Sequence, residues 1–260
     1  MTMVQAAEDR YTREREAHNK IFAEHTRASA ERFYRIIHES RALYEHLIRS
    51  RSKGGSALEY GCGMGSHAHF MATNGAQRVV GIDISDVAIE KARTASRNEG
   101  IENVEYRRMN AEFLEFDDNS FDLICGTAIL HHLDLARAYS ELARVLKPGG
   151  LAVFMEPLGH NPLINLYRRM TPNLRTVDEH PLMMRDITNA KTFFRRVMPK
   201  HFVLQSLAAV PFHGRKSFRK VLHTLEASDA LMFRCLPFTK RYSWQVILTL
   251  EEPLKNGARR

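Results

Sequence analysis

The stretch Leu58-Glu59-Tyr60-Gly61-Cys62-Gly63-Met64-Gly65 decides how this chain is read. Ala57-Leu58-Glu59-Tyr60 follows Gly54-Gly55 and is short and mostly apolar, the pattern of a buried strand. Three glycines at alternate positions then let the backbone turn tightly and come close to a ligand. Beyond them, His67 to Asn74 reads as a helix, Arg78 to Asp83 as a second strand and Val87 to Glu99 as another helix. A glycine turn between strand and helix, with an acidic residue closing the next strand, is how a carboxylate meets ribose hydroxyls. The expected ligand is therefore a nucleoside. The spacing Gly61-x-Gly63-x-Gly65 departs from the GxGxxG of dinucleotide sites and lacks the GK[ST] of a phosphate loop, so a nucleoside without a polyphosphate fits it.

Working outward, the alternation continues with strands near Val104 to Arg108, Phe121 to Cys125 and Leu151 to Glu156, and a helix from Leu135 to Leu146. Strands alternating with helices predict an α/β fold, a mostly parallel sheet with helices on both faces. Upstream, Ile21, Phe22, Phe33, Tyr34, Ile37, Leu43, Tyr44 and Leu47 recur at helical spacing, which predicts an N-terminal helical cap over residues 1–53. Residues 54–156 form the ligand-binding core. Pro157 to Met184 carries four prolines and breaks the rhythm, so 157–187 is expected as an insert over the site after the fifth strand. A helix from Thr188 to Val197, strands at Phe202 to Val210 and Tyr242 to Leu250, and a basic helical segment around Arg215 to Leu225 are expected to complete one domain within 188–260.

Hydrophobic residues at 44% and charged residues at 26% are ordinary globular composition, and no run approaches the roughly 20 apolar residues of a membrane-spanning helix. The polar start carries no signal sequence, and Cys62, Cys125 and Cys235 form neither a metal spacing nor an even disulfide set. A cytoplasmic chain with reduced thiols and no metal is expected. Asp178, Glu179 and His180 adjoin in sequence and are poorly placed to face one ion together. The net charge of +8 suits a solvated basic surface, nucleic acid or anionic lipid.

The glycine turn resembles the first motif of class I S-adenosylmethionine (SAM)-dependent methyltransferases. The likeness extends in order through Val80-Gly81-Ile82-Asp83-Ile84-Ser85, Asn110-Ala111-Glu112, Ser120-Phe121-Asp122-Leu123-Ile124, Ile129-Leu130-His131-His132-Leu133 and Leu146-Lys147-Pro148-Gly149-Gly150. It implies a Rossmann-like sheet of seven strands, the last antiparallel. It also implies SAM as cofactor and S-adenosylhomocysteine as product. Carried over by position, Glu59 holds the methionine end, Gly61 and Gly63 make room for it, and Gly126 and Thr127 border it. Asp83 binds the ribose and Ile84 packs on the adenine. Asn110 stands where many members have Asp and can accept from the adenine amino group, and Ala111 and Glu112 complete that adenine-side segment.

A sulfonium methyl is already primed for attack, so the protein has mainly to align a nucleophile, and only an alcohol or phenol needs a base. His131, in the turn after the fourth strand, is the leading candidate. Histidine is the base at the matching turn of some plant O-methyltransferases that the segment resembles, although histidines recur there whatever the substrate. Glu156, at the carboxyl edge of the sheet, is the second candidate. His132 should point elsewhere, His160 and His180 stand in reserve, and Tyr11, His18 or Tyr34 of the cap are within reach of a substrate.

The function expected is methyl transfer to a small molecule, most often at a hydroxyl oxygen of a sugar, polyketide or similar metabolite. One alternative is a lipid or membrane-surface methyltransferase, including C-methylation of an isoprenoid or quinone, suggested by the basic Arg215 to Lys220 and apolar Ala230 to Phe233. Another is a protein that binds SAM without methyl transfer. Nucleic acid is not the expected substrate, since Cys125-Gly126-Thr127-Ala128 stands where base amino methyltransferases carry Asn/Asp-Pro-Pro-Tyr/Phe.

Overall fold

Alternation within the strands builds the two faces of the central sheet. A computed structural model of the chain describes residues 3–24, 35–172, 176 and 179–255. Its strands are β1 (Ser56–Tyr60), β2 (Arg78–Asp83), β3 (Val104–Arg108), β4 (Phe121–Thr127), β5 (Leu146–Pro157), β6 (Phe194–Phe202) and β7 (Gln245–Pro253). They form one sheet of order β3-β2-β1-β4-β5-β7-β6. Leu58, Tyr60, Val80, Ile82, Ile124, Ala152 and Phe154 point to one core, and their neighbours Ala57, Val79, Leu123, Cys125, Leu151 and Val153 to the other. Strands buried on both faces must read as continuous apolar runs, which is why β1, β4 and β5 do.

The first core is closed by α5 (Leu135–Val145), through Ala138, Tyr139 and Leu142. The second is closed by α2 (His38–Ser52), α3 (Ser66–Thr73) and α4 (Asp86–Asn98), which bury Tyr44 and Ile48, Ala68 and Met71, and Ile89 and Ala92. Strands β1 to β5 pair in parallel, whereas β7 runs antiparallel between β5 and β6. The antiparallel last strand is as the resemblance implies. The order reverses beside β1, so the carboxyl ends of β1, β2 and β4 open a crevice for a ligand.

Above that crevice lie α1 (Met3–Glu24) from the N-terminal segment and α6 (Pro162–Met170) from the segment after β5. Asn161 starts α6, its side chain accepting from the N–H groups of Leu163 and Ile164, with Pro162 at the first turn where no donor is lost. Part of the expected insert therefore has regular structure.

The C-terminal expectations need correction. Thr188 to Val197 is not one helix: α7 (Met184–Asn189) and a 3-10 turn at Ala190–Thr192 precede β6. Arg195 and Arg196 are exposed on this edge strand, which also tolerates Pro199. Nor is Phe202 to Val210 a strand, because Gln205–Phe212 coils into 3-10 turns. The cause is tertiary: Asp229, on α8 (Phe218–Cys235), accepts from the N–H groups of Leu204, Gln205 and Ser206 and from the Ser206 hydroxyl. A local apolar run carries no sign of that distant carboxylate.

Candidate active site

Each carboxylate around the glycine turn is held by backbone N–H groups. Glu59, at the end of β1, is 3% exposed; its Oε2 accepts from Ala68 N at 2.6 Å in the first turn of α3, and its Oε1 lies 3.2 Å from His67 Nδ1. A carboxylate at a helix start satisfies orphan donors and meets the favourable end of the dipole. Asp83, at the end of β2, accepts from Gly63 N at 2.7 Å and from Ser85 N at 2.9 Å. Burial pushes its pKa up, against those two bonds. An ionised carboxylate has about four lone-pair sites, more than these two bonds use.

The glycines are needed for shape. Gly61 has φ +73°, and a Cβ there would come within 2.8 Å of Ile129; Gly63 has φ +51°, with Phe22 of α1 at 3.2 Å from a Cβ. Gly126, expected to border the methionine, sits in a tight packing contact. A Cβ there would meet the Tyr60 carbonyl oxygen at 2.7 Å and Phe154 at 2.9 Å, so it allows close packing and does not line the cavity.

That cavity measures about 1530 Å³, more than the roughly 300–1,000 Å³ that holds one drug-sized ligand. Of the residues expected to bind the cofactor or act in catalysis, Gly61, Gly63, Asp83, Ile84, Asn110, Ala111, Glu112 and Thr127 line it, whereas Glu59, Gly126 and Glu156 do not. The Asn110 side-chain oxygen accepts from Glu112 N at 2.9 Å. The Tyr60 hydroxyl donates to the Ala111 carbonyl. Glu112 pairs with Arg10 of α1 and accepts from Asp134 N. Its carboxylate thus ties the cap to the start of α5.

The two catalytic candidates form one unit. His131 sits in a 3-10 turn at Leu130–His132 after β4, and its Nδ1 lies 2.7 Å from Glu156 Oε2. Glu156 is fully buried, and its other oxygen accepts from Ile129 N at 2.8 Å and Leu130 N at 2.9 Å. Facing an acceptor-only carboxylate, Nδ1 carries a proton and Nε2 is left to the cavity, 4.0 Å from Glu179 Oε1. Glu156 is bonded to the ring and is not among the residues that line the cavity.

His132 does not point elsewhere: its ring lies 4.3 Å from that of His131, and both line the cavity. Its Nδ1 is 3.1 Å from Glu14 Oε2 on α1, and His18, one turn on, is 3.5 Å from the same oxygen. Burial raises the pKa of Glu14, but hydrogen bonds to His132 and His18 outweigh it and hold the carboxyl well below its usual range. Burial pushes His132 down. Of the cap residues named as within reach of a substrate, Tyr11 and His18 line the cavity, and Tyr34 lies outside the described residues. His160 accepts from Met184 N and, with His180, lies off the cavity wall. Glu14 and His67 escaped sequence reasoning, and Glu179 was weighed only beside Asp178 and His180 as an ion site. The Glu14 and His18 pair at i and i+4 was the one available signal.

Comparison with known proteins finds methyltransferases. A methyltransferase domain family matches residues 58–154. A sterol 24-C-methyltransferase of Aspergillus fumigatus is 33% identical over 129 residues, covering 48% of this chain and 33% of that one. A ubiquinone biosynthesis O-methyltransferase of Hahella chejuensis is 35% identical over 137 residues, covering 51% of this chain and 56% of that one. The chain thus matches only part of the length of these curated relatives. The crystal structure of YcgJ from Bacillus subtilis superposes with a TM-score of 0.55 at 22% identity, covering 83% of this chain and 99% of that one, which shows the shared fold. Residues 58–154 thus match a methyltransferase domain, in line with the resemblance of their motifs to the class I SAM-dependent superfamily.

Proposed function

We propose that the chain binds SAM between the glycine turn and Asp83 and transfers its methyl group to a hydroxyl oxygen of a small molecule, with His131 as the base. The residues present suit that cofactor. Gly61 and Gly63 clear backbone space, the remaining acceptor capacity of Asp83 suits ribose hydroxyls, and Ile84 and Ala111 offer an apolar and backbone surface for adenine. Glu59 acts from beneath, by fixing the start of α3 and His67. Asn110 and Glu112 hold the adenine-side turn in shape, and Thr127 borders the methionine end.

The observation that carries the reading is the Glu156–His131 pair opening onto the same cavity as the glycine turn, with volume left for a second ligand. When bound, SAM supplies a methyl group on a positively charged sulfur, ready for displacement. Glu156 fixes the ring through Nδ1, and His131 Nε2 takes the acceptor's hydroxyl proton as the oxygen attacks. α1 and α6 cover the cavity and exclude water, with residues 1–53 and 157–187 as the acceptor side and 188–260 completing the sheet. Incubation with methyl-labelled SAM and an extract of the source cells tests this. Label in a small metabolite is expected, and label confined to nucleic acid sinks it.

A second reading, a lipid-borne acceptor, is favoured by one feature. Leu163, Leu166 and Met170 are exposed on the outer side of α6, whose inner side brings Ile164 and Tyr167 to the cavity. The basic, apolar stretch singled out in the sequence is less suited, since Phe233 is buried. Both relatives are named for methylation in sterol or quinone chemistry. Among the described residues no helix is long and apolar enough to cross a membrane, so docking would be peripheral. Flotation with anionic vesicles that leaves the protein unbound removes this reading.

A further inference from the structure

We infer that Glu14, His18 and His132 form a site for a divalent transition-metal ion, of the zinc kind, in the roof of the cavity. Their ligand atoms all lie within 4.8 Å of one another. Glu14 Oε2 is 3.1 Å from His132 Nδ1 and 3.5 Å from His18 Nε2. Ions that bind nitrogen and oxygen at about 2.0–2.2 Å set neighbouring ligand atoms about 3.0–3.5 Å apart, in octahedral or tetrahedral geometry. Two edges of the triangle already have that length.

The chemistry of the set agrees. Two imidazoles and one carboxylate are a zinc-binding combination that leaves a position open, and imidazole also suits nickel, copper and iron. Glu14 and His18 stand one turn apart on the same face of α1. Glu14 is 6% exposed and His132 is 8% exposed, so the carboxylate is buried against imidazoles, where a cation would balance its charge. A neighbouring group, His131, His132 and Glu179, is also compact. It is the poorer site, because His131 Nδ1 is committed to Glu156 and its Nε2 stands 4.0 Å from Glu179.

Sequence reasoning expected no metal because it weighed Asp178, Glu179 and His180, which are adjacent. The ligands inferred here come from segments 118 residues apart, joined only by folding. An ion at this point would clamp α1 to the turn after β4 and so hold Phe22 over Gly63. The inference rests on these three side chains and not on methyl transfer.

The test uses the full-length, tag-free chain with Cys235→Ser, which removes an exposed thiol that would compete for metal. Co2+ is titrated and followed by its ligand-field absorption, then displaced by Zn2+, and hydrogen exchange is measured over residues 3–24 with and without Zn2+. One equivalent should bind and slow exchange across α1. Glu14→Gln and His18→Ala should each weaken binding by about 10–100-fold or more, the range seen when even outer-shell support is lost. Both lie on the cap and outside the sheet, and a thermal melt confirms that each variant is folded. Absence of a one-equivalent site, or affinity unchanged in both variants, overturns the proposal. SAM affinity, measured separately, decides the methyltransferase reading.

Discussion

The carboxylates on the two sides of the cavity are used in opposite ways. Around the glycine turn, Glu59, Asp83 and Glu112 accept from the backbone at Ala68, Gly63 and Ser85, and Asp134. On the other side Glu14 meets imidazoles, and Glu156 divides itself between the backbone at Ile129 and Leu130 and the ring of His131. Backbone donors, which never change protonation, predominate on the first side, with His67 beside Glu59 as an imidazole there, so that side has a fixed shape suited to recognition. Imidazoles exchange protons and bind metals, so the second side is equipped for chemistry. If this contrast is right, damage to the first side should appear in ligand affinity and damage to the second in turnover.

The largest effect expected is on turnover. His131→Ala should lower kcat by about 10²–10⁴-fold, the usual contribution of a positioned base, with SAM affinity by calorimetry nearly unchanged. Full activity in that variant would mean that the acceptor needs no base. Asp83→Ala should weaken SAM binding by about a hundredfold, roughly 3 kcal/mol for the loss of charged hydrogen bonds to ligand and turn. Normal binding would break the comparison on its recognition side.

Glu156→Gln sharpens the contrast, since the amide oxygen can keep the Ile129 and Leu130 bonds while the charge beside His131 is lost. A fall of about tenfold or more in kcat is expected with KM and SAM affinity little altered, and Glu156→Asp should restore part of it. Equal losses in kcat and SAM affinity would make Glu156 a structural residue only. Gly61→Ala should cost about 1–3 kcal/mol, because φ +73° and a Cβ 2.8 Å from Ile129 strain the turn. It should be read as lower Tm and weaker SAM binding.

The smallest effect lies away from the cavity. Glu226 on α8 has its pKa raised to about 7, by burial first and then by Glu39 and Asp229, although His38 Nδ1 stands 3.2 Å from one oxygen. The folded state holds the proton more tightly than the unfolded one. This contribution to stability is therefore complete below about pH 4.5 and lost as pH rises through about 7. Glu226→Gln should raise Tm at pH 8 and leave it unchanged at pH 4.

Legibility in the sequence followed the range of the interactions. Strands β1, β2, β4 and β5 were readable because burial on both faces leaves apolar runs, and glycines mark the turn between β1 and α3. After Glu156 the helix around Arg215 to Leu225 and the strand at Tyr242 to Leu250 were legible, but the stretch from Thr188 to Val210 was not. Edge strand β6 carries Arg195, Arg196 and Pro199, so neither alternation nor apolarity announces it. The turns at Gln205–Phe212 depend on Asp229, over twenty residues away.

The site divides the same way. Asp83, Gly61 and Gly63 could be assigned from spacing because their partners are near in the chain and their backbone needs are local. His131 and Glu156 were each picked out, but only packing of β4 beside β5 makes them one unit, with Glu156 turned from the cavity. The linear chain determined the strand-turn-helix framework and the acidic residue that closes β2, since local periodicity and glycine conformations encode these. The tertiary structure alone decided that Glu14 and His18 meet His132, because cap and turn touch only once the sheet between them has formed.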